Sequence, residues 1–102
     1  MKFVNLTGHV VTDTNTNKSF EPQGCVRVKA TTERVYRANG IPVYRTTVVA
    51  EDPLPDPVEG TAYIVSNLYL NTCTERTDVV APGKVVRGAD GEPIACRGFR
   101  CN

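Results

Sequence analysis

The side chains best suited to chemistry in this sequence are one histidine, four cysteines and a few hydroxyl groups. His9 is the only histidine, and histidine is the side chain whose unperturbed pKa lies nearest neutrality. Nucleophilic catalysis would need a thiol or hydroxyl beside it, and Cys25, Ser66 and Cys96 are available. None of them lies in a nucleophile elbow or another local catalytic motif. We assign no catalytic residue, and a small hydrolase or nuclease using His9 is kept as an alternative.

The cysteines Cys25, Cys73, Cys96 and Cys101 are expected to be reduced thiols. The N-terminal residues lack the apolar segment of a secretory signal, which predicts a cytoplasmic protein and disfavours disulfides. Zinc is less favoured, because the second half of the site would need two cysteines from distant segments. The sequence has no glycine-rich phosphate loop, and its acidic residues are scattered. We therefore expect neither a metal nor a cofactor.

Polar residues at the ends of predicted strands are the candidates for a ligand site. Ser66 and Asn67 end the most apolar strand, where such residues either line the mouth of a pocket or cap a following helix. Arg76 and Asp78 flank Thr77 and are expected on the same face of a strand. A structural ion pair is favoured there over a fork that binds phosphate or carboxylate.

Arg27 and Arg87 are the polar members of two alternating strands and complete the candidates. The four tyrosines could supply stacking surfaces for a base, although core and edge positions are more usual for them in small β domains. The predicted ligand-binding residues are His9, Arg27, Ser66, Asn67, Arg76, Asp78 and Arg87.

The elements that must position these residues are predicted to be short strands. Residues 2–12 favour a first strand that is broken near Gly8, residues 13–17 a turn, and residues 19–21 a short strand. Residues 25–35 alternate between apolar and polar side chains, which predicts a half-buried strand. Asn39-Gly40 then predicts a tight hairpin turn.

In the second half, residues 61–67 form a continuous apolar run typical of a central strand. Residues 77–80 predict a short strand that Pro82-Gly83 should stop. Residues 84–87 and 93–99 predict a hairpin across Asp90-Gly91. The fold class is therefore mainly β: a single domain over residues 1–102, a small barrel or sandwich of short, mostly antiparallel strands with at most one short helix.

Composition limits the partners. The chain is 40% hydrophobic and 23% charged, with a net charge of +1, so nonspecific nucleic-acid binding has little support. A local basic patch between Arg27 and Arg45 is kept as an alternative, because five cations cluster there. No apolar stretch approaches the roughly 18 residues of a membrane helix, so no membrane partner is expected.

Several segments resemble a group of small uncharacterised proteins of bacteriophages, prophages and actinobacteria. They are NLTGH at residues 5–9, LPDP at 54–57 before GTAYIVS at 60–66, RTDVVAPG at 76–83, and VR at 86–87 followed by Gly91 and CRGF at 96–99. The resemblance covers most of the second half and one N-terminal motif. Relatives tend to have proline at position 8 and glycine at position 95. The resemblance implies a phage-type origin and no particular reaction.

Together these features predict a small non-enzymatic binding protein that acts in the bacterial host cytoplasm. It would antagonise host defence by sequestering a nucleotide-like signal or by binding a host protein, and it would act as a homo-oligomer. The hydrolase or nuclease is one alternative. A structural or virion-associated interaction module is the other.

Overall fold

A computed structural model describes all 102 residues and shows a β-barrel from which a long hairpin projects. One short helix, α1 (Asn67–Leu70), follows the sixth strand. No helix has the length and apolar character needed to cross a membrane. The strands are β1 (Lys2–Asn5), β2 (Val11–Asp13), β3 (Lys18–Phe20), β4 (Val28–Ala38), β5 (Ile41–Ala50), β6 (Thr61–Ile64), β7 (Val79–Arg87) and β8 (Pro93–Arg100).

Six strands form one curled sheet in the order β1-β6-β7-β8-β2-β3. Antiparallel ladders join β7 to β8 and β2 to β3, and parallel ladders join β1 to β6 and β6 to β7. The chain after β3 returns to β1, where the Gln23 N–H donates to the Asn5 carbonyl at 2.8 Å. The sheet therefore nearly closes on itself, and the predicted small barrel is confirmed.

The core consists of two clusters on either side of β6. Ile64 lies in the barrel interior with Val11 and Cys96. Three phenylalanines pack against this cluster with ring centroids 5.2–5.7 Å apart, and Phe99 near the C-terminus is one of them. The second cluster lies beneath α1 and includes Val65, Tyr69 and Leu70. Because β6 has core on both sides, its residues Ala62, Tyr63 and Ile64 are all buried, and so is Val65 directly after it, as the continuous apolar run predicts.

The projecting hairpin consists of β4 and β5 and is called the arm. Its turn is Asn39-Gly40, with φ of 52° and 78°, so the predicted hairpin turn is confirmed. The prediction of a half-buried strand is wrong for most of β4. Only Val28 and Val35 of that strand are half-buried, and its other residues are exposed. Alternation normally reports one covered face, but here the strand leaves the barrel and nothing in the chain covers it.

The predicted strand over residues 77–80, stopped by Pro82-Gly83, is also wrong. Strand β7 begins at Val79 and continues through both residues to Arg87. A Cβ at Gly83 would lie 2.5 Å from the Arg97 carbonyl oxygen, so glycine is needed where β7 passes close to β8. The predicted hairpin across Asp90-Gly91 is confirmed, with Val85 opposite Cys96.

Candidate ligand-binding pocket

A pocket of about 280 Å³ opens at one end of the barrel and is called the His9 pocket. Its wall combines the chain leading into β2, the turn between β6 and α1, and the β7–β8 hairpin. The lining residues are Thr7, His9, Val10, Val11, Thr12, Ser66, Asn67, Pro82, Val85, Pro93, Ile94, Ala95 and Cys96. Apolar side chains with a few polar groups at the rim are the usual composition of a small-molecule site.

Three of the seven predicted ligand residues line this pocket: His9, Ser66 and Asn67. The sequence left open whether Ser66 caps a helix or lines a pocket, and the structure shows both. Its Oγ accepts the Tyr69 N–H at 3.2 Å as the N-cap of α1. The imidazole of His9 is exposed and forms no hydrogen bond within the chain, which leaves both ring nitrogens available.

A buried amide that the sequence analysis did not select holds the His9 side of the rim. Asn5 is fully buried, and its Nδ2 donates to the carbonyl oxygens of His9 at 2.7 Å and Phe20 at 2.8 Å. Its Oδ1 accepts the Thr7 N–H at 2.9 Å and lies 2.7 Å from the Thr7 hydroxyl. Every hydrogen-bonding group of the amide is satisfied, so the turn that carries His9 is fixed by side-chain chemistry.

Asn67 forms the opposite side of the rim and is fixed at both ends of its amide. Its Nδ2 donates to the Pro82 carbonyl at 3.1 Å, and its Oδ1 accepts a hydrogen bond from Nε of Arg100. A second nitrogen of Arg100 donates to Oδ1 of Asn71 at 3.2 Å. Arg100, which was not among the predicted residues, places a guanidinium beside the rim. Nothing local indicates that role, because Arg100 and Asn67 meet only through the barrel topology.

Cys96 is a buried lining residue of the pocket and is held as a neutral thiol. Its Sγ donates to the Thr12 carbonyl at 3.4 Å. Burial, followed by the negative charge of Asp13, raises the pKa of the thiol above its ordinary value. Because the thiolate is the nucleophilic form, this environment opposes nucleophilic catalysis by Cys96.

Arg76 and Asp78 lie away from the His9 pocket and form the structural ion pair that the sequence analysis favoured. Two nitrogens of Arg76 each lie 2.8 Å from a carboxylate oxygen of Asp78. The pair lowers the pKa of Asp78 and raises that of Arg76. Arg76 also donates to the Pro55 carbonyl at 3.1 Å. The two residues precede β7 instead of lying on a strand, so the predicted shared strand face is wrong.

The remaining two candidates occupy separate places. Arg27 lies at the base of the arm, where its backbone N–H donates to the Asp52 carboxylate at 3.0 Å. Its guanidinium Nε lies 3.9 Å from the same carboxylate. Arg87 lies opposite Pro93, a lining residue of the pocket, but it donates to the Gly91 carbonyl of its own hairpin at 2.9 Å. The structure therefore gathers three predicted residues in one pocket and separates four from it.

A second, more open cleft lies at the base of the arm, between β5 and the chain after α1. Its largest polar group is Arg76, which is already paired with Asp78. Its buried thiol, Cys73, donates to the Tyr69 carbonyl at 3.4 Å. The guanidinium and the buried thiol of this cleft are therefore engaged within the chain, and we take the His9 pocket as the candidate site.

No three histidine, cysteine or carboxylate side chains come together as a potential metal site, and the four cysteines are unpaired. Comparisons with protein-family models, with curated proteins and with solved structures found no match to this chain.

Proposed function

We propose that this protein is a non-enzymatic binding protein that holds a nucleotide-like small molecule in the His9 pocket. One observation carries the proposal. His9, and Ser66 with Asn67, come from distant parts of the sequence and line a single pocket whose other lining residues are largely apolar. The fold provides two fixed sides for that pocket, through Asn5 on one side and Arg100 on the other.

The groups around the pocket match the parts of a nucleotide. Val11, Val85 and Ile94 offer apolar surface to a planar base. Hydroxyl and amide groups at the rim suit the hydroxyls of a ribose, and His9 is free to hydrogen-bond or stack. Arg100 supplies a cation beside Asn67, where a phosphate would be favoured.

Binding is favoured over catalysis because the two possible nucleophiles that line the pocket, Ser66 and Cys96, are already engaged. The Ser66 hydroxyl accepts the helix-capping hydrogen bond, and the Cys96 thiol is kept neutral by burial. A hydrolase or nuclease would need a nucleophile activated by a neighbouring base. Neither environment supplies that activation.

The biological role that we propose follows from the resemblance to phage-type proteins. A small protein of this origin in the bacterial host cytoplasm would act by sequestering a nucleotide-like signal of host defence. Sequestration requires tight binding without turnover, which suits a preformed pocket that lacks an activated nucleophile.

Thermal shift with a panel of mononucleotides, cyclic nucleotides, ribose and inorganic phosphate tests the proposal. A ligand at about a hundred times its Kd stabilises the folded state by about 2.7 kcal/mol, which raises the Tm of a chain this size by on the order of 10 °C. Chromatography of the recovered ligand should show it unchanged, since no reaction is proposed.

Variants at the pocket locate the binding. Ile94→Trp should fill part of the pocket and abolish the shift, and His9→Ala should weaken it. Val58→Trp is the matched control, because Val58 and Ile94 are similarly exposed (56% and 62%) and only Ile94 lines the pocket. If no compound shifts the Tm, or if the shift survives in both pocket variants, the pocket is not a nucleotide site.

The second candidate is a structural or virion-associated interaction module, and the exposed arm favours it. In that role the arm, and not the pocket, would carry the function. The neighbouring genes distinguish the two, since tail or head genes beside this one would favour the module and defence-related genes would favour sequestration.

A further inference from the structure

The arm extends the protein well beyond the size of its barrel. The radius of gyration is 16.3 Å and the longest dimension is 51 Å, whereas a compact domain of about 100 residues has a radius near 13 Å. Val26 and Val28 pack against the core beneath α1 at the base of the arm. Between residues 31 and 47 only Val35 and Val43 are half-buried, and every other residue is exposed. The distal arm is therefore a surface that the barrel does not use.

Charge is distributed unevenly along the chain, so the net charge of +1 conceals a basic arm. Residues 28–50 contain four cations and one anion, Glu33, for a net charge of +3. Residues 51–60, which follow the arm at its base, contain four carboxylates and no cation, for a net charge of −4. The ion pairs of the chain involve Arg27 and Arg76, so none of the four cations of the arm is paired.

A β-bulge places two of these cations on the same face of the arm. Residues directly opposite each other in an antiparallel ladder share a face, and Arg34 lies opposite Tyr44. Arg37 lies opposite Pro42, two residues before Tyr44 on β5, so the two arginines share that face. Residues three apart in a regular strand point to opposite faces. The two arginines share one because Val35 is an extra residue between them in β4.

This face, called the basic face, carries three rows of exposed side chains in the distal arm. Successive rows are about 7 Å apart, so the three rows span about 14 Å. The anion of the arm, Glu33, is opposite Arg45 on the other face. From the middle of the arm toward its tip, the rows are Thr32 with Thr46, Arg34 with Tyr44, and Arg37 with Pro42.

The groups on the basic face match a single-stranded nucleic acid. Arginine and threonine side chains donate hydrogen bonds to phosphate oxygens, and three rows cover about four stacked nucleotides at about 3.4 Å each. Tyr44 is 60% exposed and lies between the two arginines along the arm, where its ring offers a stacking surface to an unpaired base. A duplex matches less well, because its bases are already stacked on one another and would leave Tyr44 without a partner.

We propose that the basic face of the arm binds single-stranded nucleic acid, with Arg34 and Arg37 on the phosphates and Tyr44 stacked on a base. The acidic residues 51–60 begin at the base of the arm, where the Glu51 N–H donates to the Arg27 carbonyl at 2.8 Å. Their charge repels phosphates, which confines the strand to the distal half. An acidic protein segment would match the arginines but would leave the ring unused. The proposal is independent of any ligand in the His9 pocket.

Fluorescence anisotropy with a labelled oligothymidylate of about twelve nucleotides, at low ionic strength, tests this binding. Tyr44→Val should raise the Kd by at least about fivefold, because one stacking contact is lost. Tyr36→Val is the matched control and should change the Kd by less than about twofold. Tyr36 is also 60% exposed, but it lies opposite Val43 on the other face of the arm.

The salt dependence of the Kd tests the two arginines. Neutralising two phosphates of a single strand gives a slope of about 1.4 in a plot of log Kd against log salt concentration, and Arg34→Ala or Arg37→Ala should lower this slope by about 0.7. Arg45→Ala makes the same change in net charge on the other face. It should therefore leave the slope unchanged.

A chain in which Asn-Gly replaces residues 31–47, and so joins Ala30 to its ladder partner Val48, should not bind the oligonucleotide. The proposal is overturned if the wild type does not bind, if the shortened chain still binds, or if the Tyr36 and Tyr44 variants weaken binding equally. Equal affinity for a duplex, or equally effective displacement by polyglutamate, would also overturn it, since charge alone would then account for binding. Circular dichroism on each variant checks that the arm remains folded.

Discussion

Asn5 is a buried amide whose hydrogen bonds join β1 to β3 and to the turn that carries His9. Its donor group serves two backbone carbonyls and its acceptor serves Thr7. The position therefore combines two tasks, closing the barrel and shaping the rim of the pocket. An apolar residue of the same size could pack there but could not satisfy those backbone groups.

We expect Asn5→Ala to lower the free energy of unfolding by at least about 2 kcal/mol, because it leaves buried backbone groups without partners. Asn5→Asp should be no better, since a carboxylate would face the carbonyl oxygens of His9 and Phe20. Urea denaturation measures both. The control, Asn15→Ala, removes an exposed amide and should change stability by no more than about 0.5 kcal/mol. Equal stabilities for the three variants would contradict this role of Asn5.

Two elements differ sharply in how they are supported. Helix α1 has only four residues, too few to be stable by propensity, and it depends on its Ser66 cap and on the burial of Tyr69 and Leu70. The arm is much longer, but its ladder is local and its base alone touches the core. The helix should therefore be sensitive to single changes, and the arm should be removable as a unit.

Ser66→Ala should destabilise the protein by about 1 kcal/mol, because the Tyr69 N–H loses its acceptor. Ser66→Asp should retain most of the stability, since aspartate caps equally well. Thermal denaturation gives both values. Ser19→Ala is the matched control, as it removes an exposed hydroxyl that bonds only to Thr12. A loss as large for the control as for Ser66→Ala would show that the cap contributes nothing specific.

Replacing residues 31–47 by Asn-Gly should leave the barrel folded, with a Tm within about 4 °C of the wild type. Ala30 and Val48 already lie opposite each other, so a two-residue turn can join them. The shortened chain should also retain any nucleotide-induced thermal shift. A large loss of Tm would mean that the distal arm supports the barrel in a way that the contacts do not show.

The stability of the whole molecule should depend on pH through two sets of groups, one that titrates at acid pH and one that titrates at alkaline pH. A hydrogen bond from the Thr16 hydroxyl, followed by one from the Gly98 N–H, lowers the pKa of Asp13 below its ordinary value of 3.8. The hydrogen bonds from Arg76 do the same for Asp78. At alkaline pH the relevant groups are Cys96 and Tyr69, whose pKa values burial raises.

A carboxylate whose pKa is lower in the folded state contributes stability above its unfolded pKa, and this is lost as the pH falls through the folded value. We therefore expect the Tm to decline below about pH 4. A buried thiol whose pKa is higher in the folded state contributes stability at lower pH. This contribution is lost as the pH rises above about 9. Asp13→Asn should reduce the acid decline and Cys96→Ala the alkaline one, in thermal denaturation across pH. A decline that neither variant changes would mean that other groups control it.

The sequence predicted the features that neighbouring residues determine. The turns at Asn39-Gly40 and Asp90-Gly91, the burial of residues 62–65 within the apolar run and the ion pair Arg76–Asp78 depend on short-range chemistry. Asn5 and Arg100 could not be found that way, because their partners lie on strands that become neighbours only when the barrel closes. The exposure of β4 was missed for a related reason, since alternation shows which side chains share a face but not whether that face is covered.

The pairing of β1 with β6 sets an order of events during synthesis. Lys2 lies opposite Thr61, so the first strand waits for about sixty residues to be made, or roughly 3–12 s at typical elongation rates. The arm needs only its own turn and can form within about 1–10 μs of leaving the ribosome. The first surface that each new chain presents to its neighbours on the same message is therefore the arm, while the barrel that carries the pocket is still open.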